Sequence, residues 1–233
     1  MIHAKKNTPL GKLFAIYHKR LLKKHFFAVQ LAGMENFELI NDSMPVIMYA
    51  NHSNWWDGFI AYLITNRLLK KDDYLMMDIE QMKKYSFFKY IGVFSVNRNI
   101  PAEAVRSLNY AAELLTNSNK YMWIFPQGEM LPQDKRPLKF FSGIAKIAEK
   151  TGSINLVPVC FRYEFIMEQR PEVFISIGKP EIVAGKINGD LTESLRSTFE
   201  SQLDKLKDDV LIGNTSAFKT IFIGKNSRNK TFD

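Results

Sequence analysis

Cysteine is nearly absent from this sequence, which has Cys160 alone among its 233 residues. An internal disulfide framework and a zinc site built from cysteines are therefore excluded, and a reducing compartment such as the cytoplasm is the natural default. Apolar runs are also short, and none approaches the roughly 18 to 20 residues that a membrane-spanning helix requires. The basic N-terminus lacks the continuous apolar stretch and the small-residue cleavage site of a signal peptide, so we expect none.

Acidic residues are missing from residues 1–34, which carry seven lysines and arginines. Residues 213–233 are also basic, with four lysines and arginines against one aspartate, and the body between them is nearly neutral although the chain has a net charge of +8. A nucleic-acid platform more often interleaves basic and aromatic side chains across its surface. Basic ends on a neutral body fit an anionic membrane surface better. We therefore expect a membrane partner and no nucleic acid, while the sequence is silent on oligomeric state.

Residues 9–24 have the spacing of a basic amphipathic helix. One stripe is apolar and the lysines fall away from it; the stripe consists of Leu10, Leu13, Phe14, Tyr17 and Leu21. A helix of this kind can lie in a membrane interface with its lysine stems reaching outward. The same stripe can equally pack against the body of the protein, and the sequence leaves both interpretations open.

Short apolar segments then alternate with helical patterns. Strands are predicted at 26–32, 45–50, 74–77, 92–98, 121–125, 154–162 and 172–178, and helices at 55–69, 101–117, 142–150 and from Asp190. In the strand at 172–178, the alternation predicts Val173, Ile175 and Ile177 on the inward face. The pattern predicts an α/β fold, with a central mostly parallel or mixed sheet flanked by helices and an N-terminal basic amphipathic helix. We divide the chain into the helical segment 1–32, an α/β domain 33–212 and a basic C-terminal tail 213–233.

Polar residues follow the first of the central strands, where sites form in open α/β sheets. The segment Asn51-His52-Ser53-Asn54-Trp55-Trp56-Asp57 joins that strand to a helix. Asn54 is the predicted N-cap, with Asp57 in the first turn as in a capping box. If His52 lies in the loop, its ring folds back onto the Asp57 carboxylate. That contact would hold one ring nitrogen as N–H and leave the other free to act as a base. The alternative is that Asn54 and Asp57 only cap the helix and that His52 is an ordinary surface side chain.

Two further strand ends carry polar residues. Asn97 and Arg98 follow one strand, and Gln127, Gly128 and Glu129 follow another. Separately each is a weak signal, because Arg98 is more often a surface arginine and Gln127-Gly128 is more often just a turn.

Together and in this order, these segments resemble the glycerolipid acyltransferase family, whose best-known members acylate lysophosphatidic acid. The first family motif, Asn-His, four residues and Asp, corresponds to residues 51–57. The second, an apolar strand with Gly that ends in Arg, corresponds to 92–98, and the third, Phe-Pro-Glu-Gly-Thr, corresponds to 125–129. The fourth, apolar-Pro-apolar, corresponds to 157–159, with Lys139 and Gly143 between the third and fourth. The resemblance runs from about Gly33 to Pro180.

The resemblance implies an O-acyltransferase with His52 as general base and Asp57 fixing its tautomer. The acceptor hydroxyl of a lysophospholipid would attack the thioester carbonyl of acyl-CoA or acyl-carrier protein, with no other cofactor and no metal. Arg98 would pair with an anionic group of the lipid acceptor, and Asn97, Gln127, Gly128, Glu129 and Lys139 would complete the substrate site. The expected location is peripheral, on the cytoplasmic face of the membrane.

The third motif departs from the family pattern, with Gln127 in place of Glu and Glu129 in place of Thr. A carboxylate at Glu129 would repel a phosphate unless a neighbouring cation intervened. A hydroxyl of a glycolipid or a carotenoid glycoside is therefore an alternative acceptor, with Trp55 and Trp56 as flat faces for a sugar or an acyl chain. A non-catalytic lipid-binding module is the alternative of a different class.

Overall fold

The computed structural model describes residues 1–184 and 189–226. Its strands are β1 Ala28–Ala32, β2 Val46–Ala50, β3 Asp73–Asp78, β4 Val93–Val96, β5 Tyr121–Ile124, β6 Ser153–Glu164, β7 Glu172–Ile177, β8 Glu181–Ala184 and β9 Lys219–Ile223. Its α-helices are α1 Thr8–His25, α2 Asp57–Tyr62, α3 Ile79–Lys84, α4 Pro101–Leu115, α5 Gly143–Thr151 and α6 Leu191–Leu211. Two 3-10 helices, Met34–Leu39 and Ser86–Ile91, and a π-helix, Leu63–Leu69, complete the described elements.

In this part of the chain the nine strands form one mixed sheet in the order β4-β3-β5-β2-β6-β7-β1-β9, with β8 paired to β6. Strands β2 to β6 pair in parallel, whereas β6 pairs antiparallel with β7 and β8. All five residues of β2 are buried, since helices cover both faces of the sheet and such strands read as continuous apolar runs. Helices α1 to α3 lie on one face and α4 to α6 on the other. The predicted α/β fold is confirmed.

The carboxyl ends of β2 to β6 lie at one edge of the sheet, here called the carboxyl edge. The pairing of β3 with β5 stops at Leu75 and Trp123, whereas β3 continues beside β4 as far as Asp78. Strands β3 and β5 therefore separate towards the carboxyl edge and leave a gap in the sheet.

Helix α1 packs on the body through a face that only partly overlaps the predicted apolar stripe. Phe14, His18 and Leu22 are its buried residues. Of the predicted stripe, Leu10, Leu13 and Tyr17 are 42%, 64% and 52% exposed. A spacing of four residues places His18 between two buried apolar positions, where its Nε2 atom lies 2.8 Å from the Phe59 carbonyl oxygen. The helix thus both packs against the core and presents apolar side chains outward.

The helix after β2 differs from the prediction in its start. It begins at Asp57, and Trp56 occupies the N-cap position without a side-chain cap. Asn54 is not the cap: its side-chain oxygen accepts from the Trp56 N–H at 3.2 Å. The reason is that the Asp57 carboxylate reaches back to the backbone N–H groups before the helix. By contrast, Asp190 caps α6 as predicted, accepting from the Glu193 N–H at 3.1 Å.

Two strands that the sequence analysis did not predict join the sheet. Strand β9 lies within the segment assigned as the C-terminal tail and pairs with β1, and β8 pairs with the start of β6. Strand β7 is covered on both faces rather than one, because Phe174 is also buried and contacts Phe218. The basic residues Arg228 and Lys230 lie outside the described residues. Across residues 1–184 and 189–226, none of the helices combines the length and the apolar character needed to cross a bilayer.

Candidate active site

The structure brings His52 and Asp57 together at the carboxyl edge. The His52 Nδ1 atom lies 2.8 Å from Asp57 Oδ2, and the Asp57 side chain is completely buried. An ionised carboxylate can only accept, so Nδ1 carries the proton and Nε2 is left as the free acceptor. The imidazole stacks on the Phe125 ring, with centroids 4.6 Å apart. This is the arrangement that a general base requires.

Asp57 is held by three further donors. Its Oδ2 atom accepts from the backbone N–H groups of Ser53 and Asn54 at 2.8 and 2.9 Å. Its Oδ1 atom accepts from the Tyr163 hydroxyl at 2.7 Å. Burial, reinforced by the Asp57 charge, raises the pKa of Tyr163 well above its usual value, so this hydroxyl stays a proton donor. Four donors thus fix both oxygens of a buried carboxylate.

Tyr163 was not predicted from the sequence. It lies in β6, far along the chain, and reaches Asp57 because β6 pairs directly with β2. The same pairing anchors the residue before the histidine: the Asn51 amide donates to the Phe161 carbonyl at 2.9 Å and accepts from the Phe161 N–H at 2.8 Å. The side chain of Asn51 thereby continues the ladder between the two strands and fixes the loop that carries His52.

Gln127 lies behind the site instead of in it. It is buried, and its Oε1 atom accepts from the His52 backbone N–H at 2.7 Å. The His52 carbonyl in turn accepts from the Leu131 N–H at 2.9 Å. Gln127 does not line the cavity described next. At the position where the family motif has Glu, this glutamine holds the backbone of the loop that carries His52.

A cavity of about 380 Å³ opens beside His52. It is lined from both strands that flank the gap in the sheet, by Met76 and Met77 of β3 and by Ile124 at the end of β5. Trp55 in the histidine loop and apolar side chains from the helices form much of the remaining wall, the latter including Phe59, Tyr62, Phe88, Leu108 and Ile144. The size is within the range of small-molecule sites, and the wall suits a hydrocarbon chain.

Arg98 lines the cavity together with His52. Its guanidinium lies over the Phe141 ring, 5.6 Å from the centroid, and none of the described carboxylates forms an ion pair with it. Gly128 adopts a φ of +73°, and a Cβ atom there would overlap the Arg98 Nη1 atom. The absence of a side chain at Gly128 therefore leaves room for the guanidinium of Arg98, which is available to bind an anion.

The other predicted site residues are not in the cavity wall. The Asn97 amide donates to Glu103 at 3.0 Å, and Glu129 is exposed outside the wall. Lys139 lies beside Glu193 and Arg196 near the start of α6. Lys146 does line the cavity and was missed, since its one sequence signal is its place in the first turn of α5. Among the described residues no three His, Cys, Asp or Glu side chains converge to hold a metal ion, and the absence of a metal stays a prediction.

Comparisons with known proteins identify a family and a similar fold. The model of a family described as acyltransferase matches residues 28–162, a span that includes His52, Asp57, Arg98 and Gln127. A solved structure, the 1-acyl-sn-glycerophosphate (LPA) acyltransferase PlsC from Thermotoga maritima, is similar with a TM-score of 0.62 and 23% sequence identity. The similarity covers 84% of this chain and 79% of that one. No curated protein sequence matched. Since the family model covers more than half of the sequence, the chain belongs to this acyltransferase family, in agreement with the resemblance that its ordered motifs showed.

Proposed function

We propose that this acyltransferase moves a fatty acyl group from acyl-CoA or acyl-carrier protein to a hydroxyl of a lysophosphatidic-acid-like acceptor. The observation that carries the proposal is the contact of His52 Nδ1 with the buried Asp57 carboxylate, in the wall of an apolar cavity. A surface histidine beside a helix cap would need neither the buried carboxylate nor the cavity.

In the proposed reaction, His52 Nε2 takes the proton of the acceptor hydroxyl as the oxygen attacks the thioester carbonyl. A tetrahedral intermediate forms and collapses, so that the C–S bond breaks and the ester bond remains. The imidazolium then returns its proton to the departing thiolate. Asp57 stabilises the imidazolium in between, and its four hydrogen bonds keep it oriented for that task. General-base assistance of this kind typically contributes about 10² to 10⁴ in rate.

Arg98 supports an anionic acceptor. Its planar guanidinium suits a phosphate, which it can bind through two parallel hydrogen bonds. The glycoside alternative drew on Gln127 and Glu129 as partners for neutral hydroxyls. Because Gln127 is engaged with the His52 backbone and Glu129 is outside the cavity wall, we favour the phosphate acceptor. The cavity wall would then hold an acyl chain.

We further propose that the protein works on the cytoplasmic face of an anionic membrane as a peripheral protein. Support comes from α1, which exposes Leu10, Leu13 and Tyr17 within a segment that has seven basic residues and no acidic one. Each basic residue near an anionic surface contributes about 1 kcal/mol, and apolar side chains on the same helix add interfacial binding.

The test is acceptor-dependent release of free thiol from acyl-CoA and, in parallel, from acyl-carrier protein. The acceptor panel contains lysophosphatidic acid, another lysophospholipid and a glycolipid. We expect release with lysophosphatidic acid and a loss of about 10² to 10⁴ in His52→Ala. His3→Ala is the matched control, since His3 is exposed and packs on Tyr110. Turnover retained in His52→Ala would overturn the general base, and binding of lipid without thiol release would favour the non-catalytic module.

A further inference from the structure

The turn between β6 and β7 carries three consecutive large apolar side chains into solvent. Phe165, Ile166 and Met167, here called the apolar tip, are 71%, 53% and 92% exposed. Scattered apolar residues are common on protein surfaces, but a contiguous group more often marks an interaction site. Nothing in the packing of the core requires this composition at a turn.

The apolar tip lies at the same edge of the sheet as the candidate active site. Strand β6 runs parallel to β2, with Val159 opposite Ala50, so both strands point towards the carboxyl edge. Tyr163, which donates to Asp57, is two residues before Phe165. The tip therefore projects from the edge at which His52 follows the end of β2.

Basic residues lie at the base of the turn that carries the apolar tip, while the tip itself adjoins Glu164, which pairs with Arg162, and Glu168. Arg170, in the same turn, donates from Nε to the Lys24 carbonyl at 2.8 Å and from Nη1 to the Lys225 carbonyl at 3.3 Å. The basic end of α1, with Lys23 and Lys24 in its last turn, is thus joined to the turn that carries the tip. Apolar side chains next to the basic end of a helix complement an anionic lipid surface, where the side chains enter the interface and the basic residues meet the headgroups.

We propose that the apolar tip inserts into the interface of an anionic bilayer as a second contact, separate from α1. Two contacts at different places fix the orientation of the protein on the membrane, whereas a single helix would leave it free to rotate. In this orientation the carboxyl edge faces the membrane. The inference rests on the proposed function in one respect, that the acceptor is a membrane lipid. It assigns the way in which that acceptor reaches His52, which is directly from the bilayer.

The first experiment measures binding of the full chain to vesicles of phosphatidylglycerol and phosphatidylcholine. The test variant combines Phe165→Ser, Ile166→Ser and Met167→Ser. The matched control combines Leu39→Ser and Ile182→Ser, because these side chains are 57% and 53% exposed and lie at the opposite edge, where Ile182 pairs with Asn155. We expect the test variant to bind at least about tenfold more weakly, and the control to bind like the native chain. Equal binding by both variants would overturn the proposal.

A second measurement locates the tip directly and does not depend on affinity. Cys160 is the one cysteine of the chain and is fully buried, so Met167→Cys introduces a single accessible thiol. An environment-sensitive fluorophore at this position should shift to the blue on vesicles and be quenched by nitroxide-labelled lipid chains. The same label on Ile182→Cys should do neither. A Met167→Cys label that stays in water on vesicle-bound protein would refute the insertion.

Neither measurement involves turnover, so the two proposals fail separately. Insertion of the tip without thiol release counts against the acyl transfer reaction. Thiol release with a tip that stays in water counts against the insertion alone.

Discussion

Replacement of Asp57 by asparagine separates the charge of this residue from its hydrogen bonds. The amide oxygen can take the place of Oδ2 and accept from His52 Nδ1 and from the N–H groups of Ser53 and Asn54. The amide nitrogen then takes the place of Oδ1 and donates to the Tyr163 hydroxyl, which can accept as well as donate. The variant therefore fits the site and keeps the tautomer of His52, but it carries no negative charge.

The missing charge matters when His52 becomes an imidazolium. A unit charge at about 4 Å contributes roughly 4 kcal/mol at an effective dielectric constant of 20, which corresponds to about 10³ in rate. Because the imidazolium exists only as the reaction proceeds, the loss should appear in kcat while KM for the acceptor stays nearly unchanged.

The assay is steady-state thiol release with the acceptor varied, together with circular dichroism to establish that the variant is folded. A kcat within tenfold of the native value would refute the reasoning, since Asp57 would then act through orientation alone. Asp57→Ala is the contrasting variant. It removes the acceptor for four donors in a buried site, and each buried donor without a partner costs about 1 to 3 kcal/mol, so this variant should lose stability as well as activity.

Three other variants probe neighbouring features. Tyr163→Phe removes one hydrogen bond to Asp57 and should lower the free energy of unfolding in urea by about 1.5 to 3 kcal/mol, with a smaller loss of kcat than Asp57→Asn because the charge remains; unchanged stability would contradict this. Gly128→Ala places a Cβ atom against Arg98 at a positive φ and should raise KM for lysophosphatidic acid about 10- to 100-fold, the equivalent of one charge-assisted hydrogen bond; an unchanged KM would separate Arg98 from the phosphate. Burial lowers the pKa of His18 to about 4, so as the pH falls the unfolded chain binds a proton at this residue before the folded chain does. Between pH 6.5 and 4 the free energy of unfolding of the native protein should therefore fall by about 3 kcal/mol more than that of His18→Phe. Parallel pH profiles of the two proteins would refute this prediction.

Local patterns in the sequence were sufficient for the central elements. The five buried residues of β2 and the Pro101 start of α4 follow from apolar runs and cap chemistry that neighbouring residues determine. The loop that returns His52 to Asp57 also follows from their spacing and from a helix that begins after His52. These features depend on residues within about one turn of each other.

Features that depend on distant strands were not predictable in the same way. Tyr163 meets Asp57 because β6 lies beside β2, and Gln127 meets the His52 backbone because β5 lies on the other side. Local sequence patterns do not determine the order of strands in the sheet. Strand β9 was not predicted for a related reason. The basic residues around it are typical of a C-terminal tail, and Phe222 is its one buried residue.

The buried face of α1 illustrates a third limit. The apolar stripe predicted from the spacing is present, but a helix with apolar residues on more than one face does not specify which of them packs. The choice falls to Phe14, His18 and Leu22 because aromatic rings of the body surround them, among them Phe59 and Tyr62. A histidine in the core is a position that hydrophobic periodicity alone does not select.

The pairing of β1 has a consequence for the order of folding during synthesis. Val29 of this early strand lies opposite Val173 of β7 and Phe222 of β9, so its neighbours in the sheet emerge from the ribosome much later. At about 5 to 20 residues per second, the delay is on the order of 10 to 40 s. Within that interval the strands β2 to β6 are synthesised and can pair among themselves, whereas β1 lacks its neighbours in the sheet. The first strand of the chain is therefore among the last to complete its pairing, and this side of the sheet closes only after β9 has been synthesised.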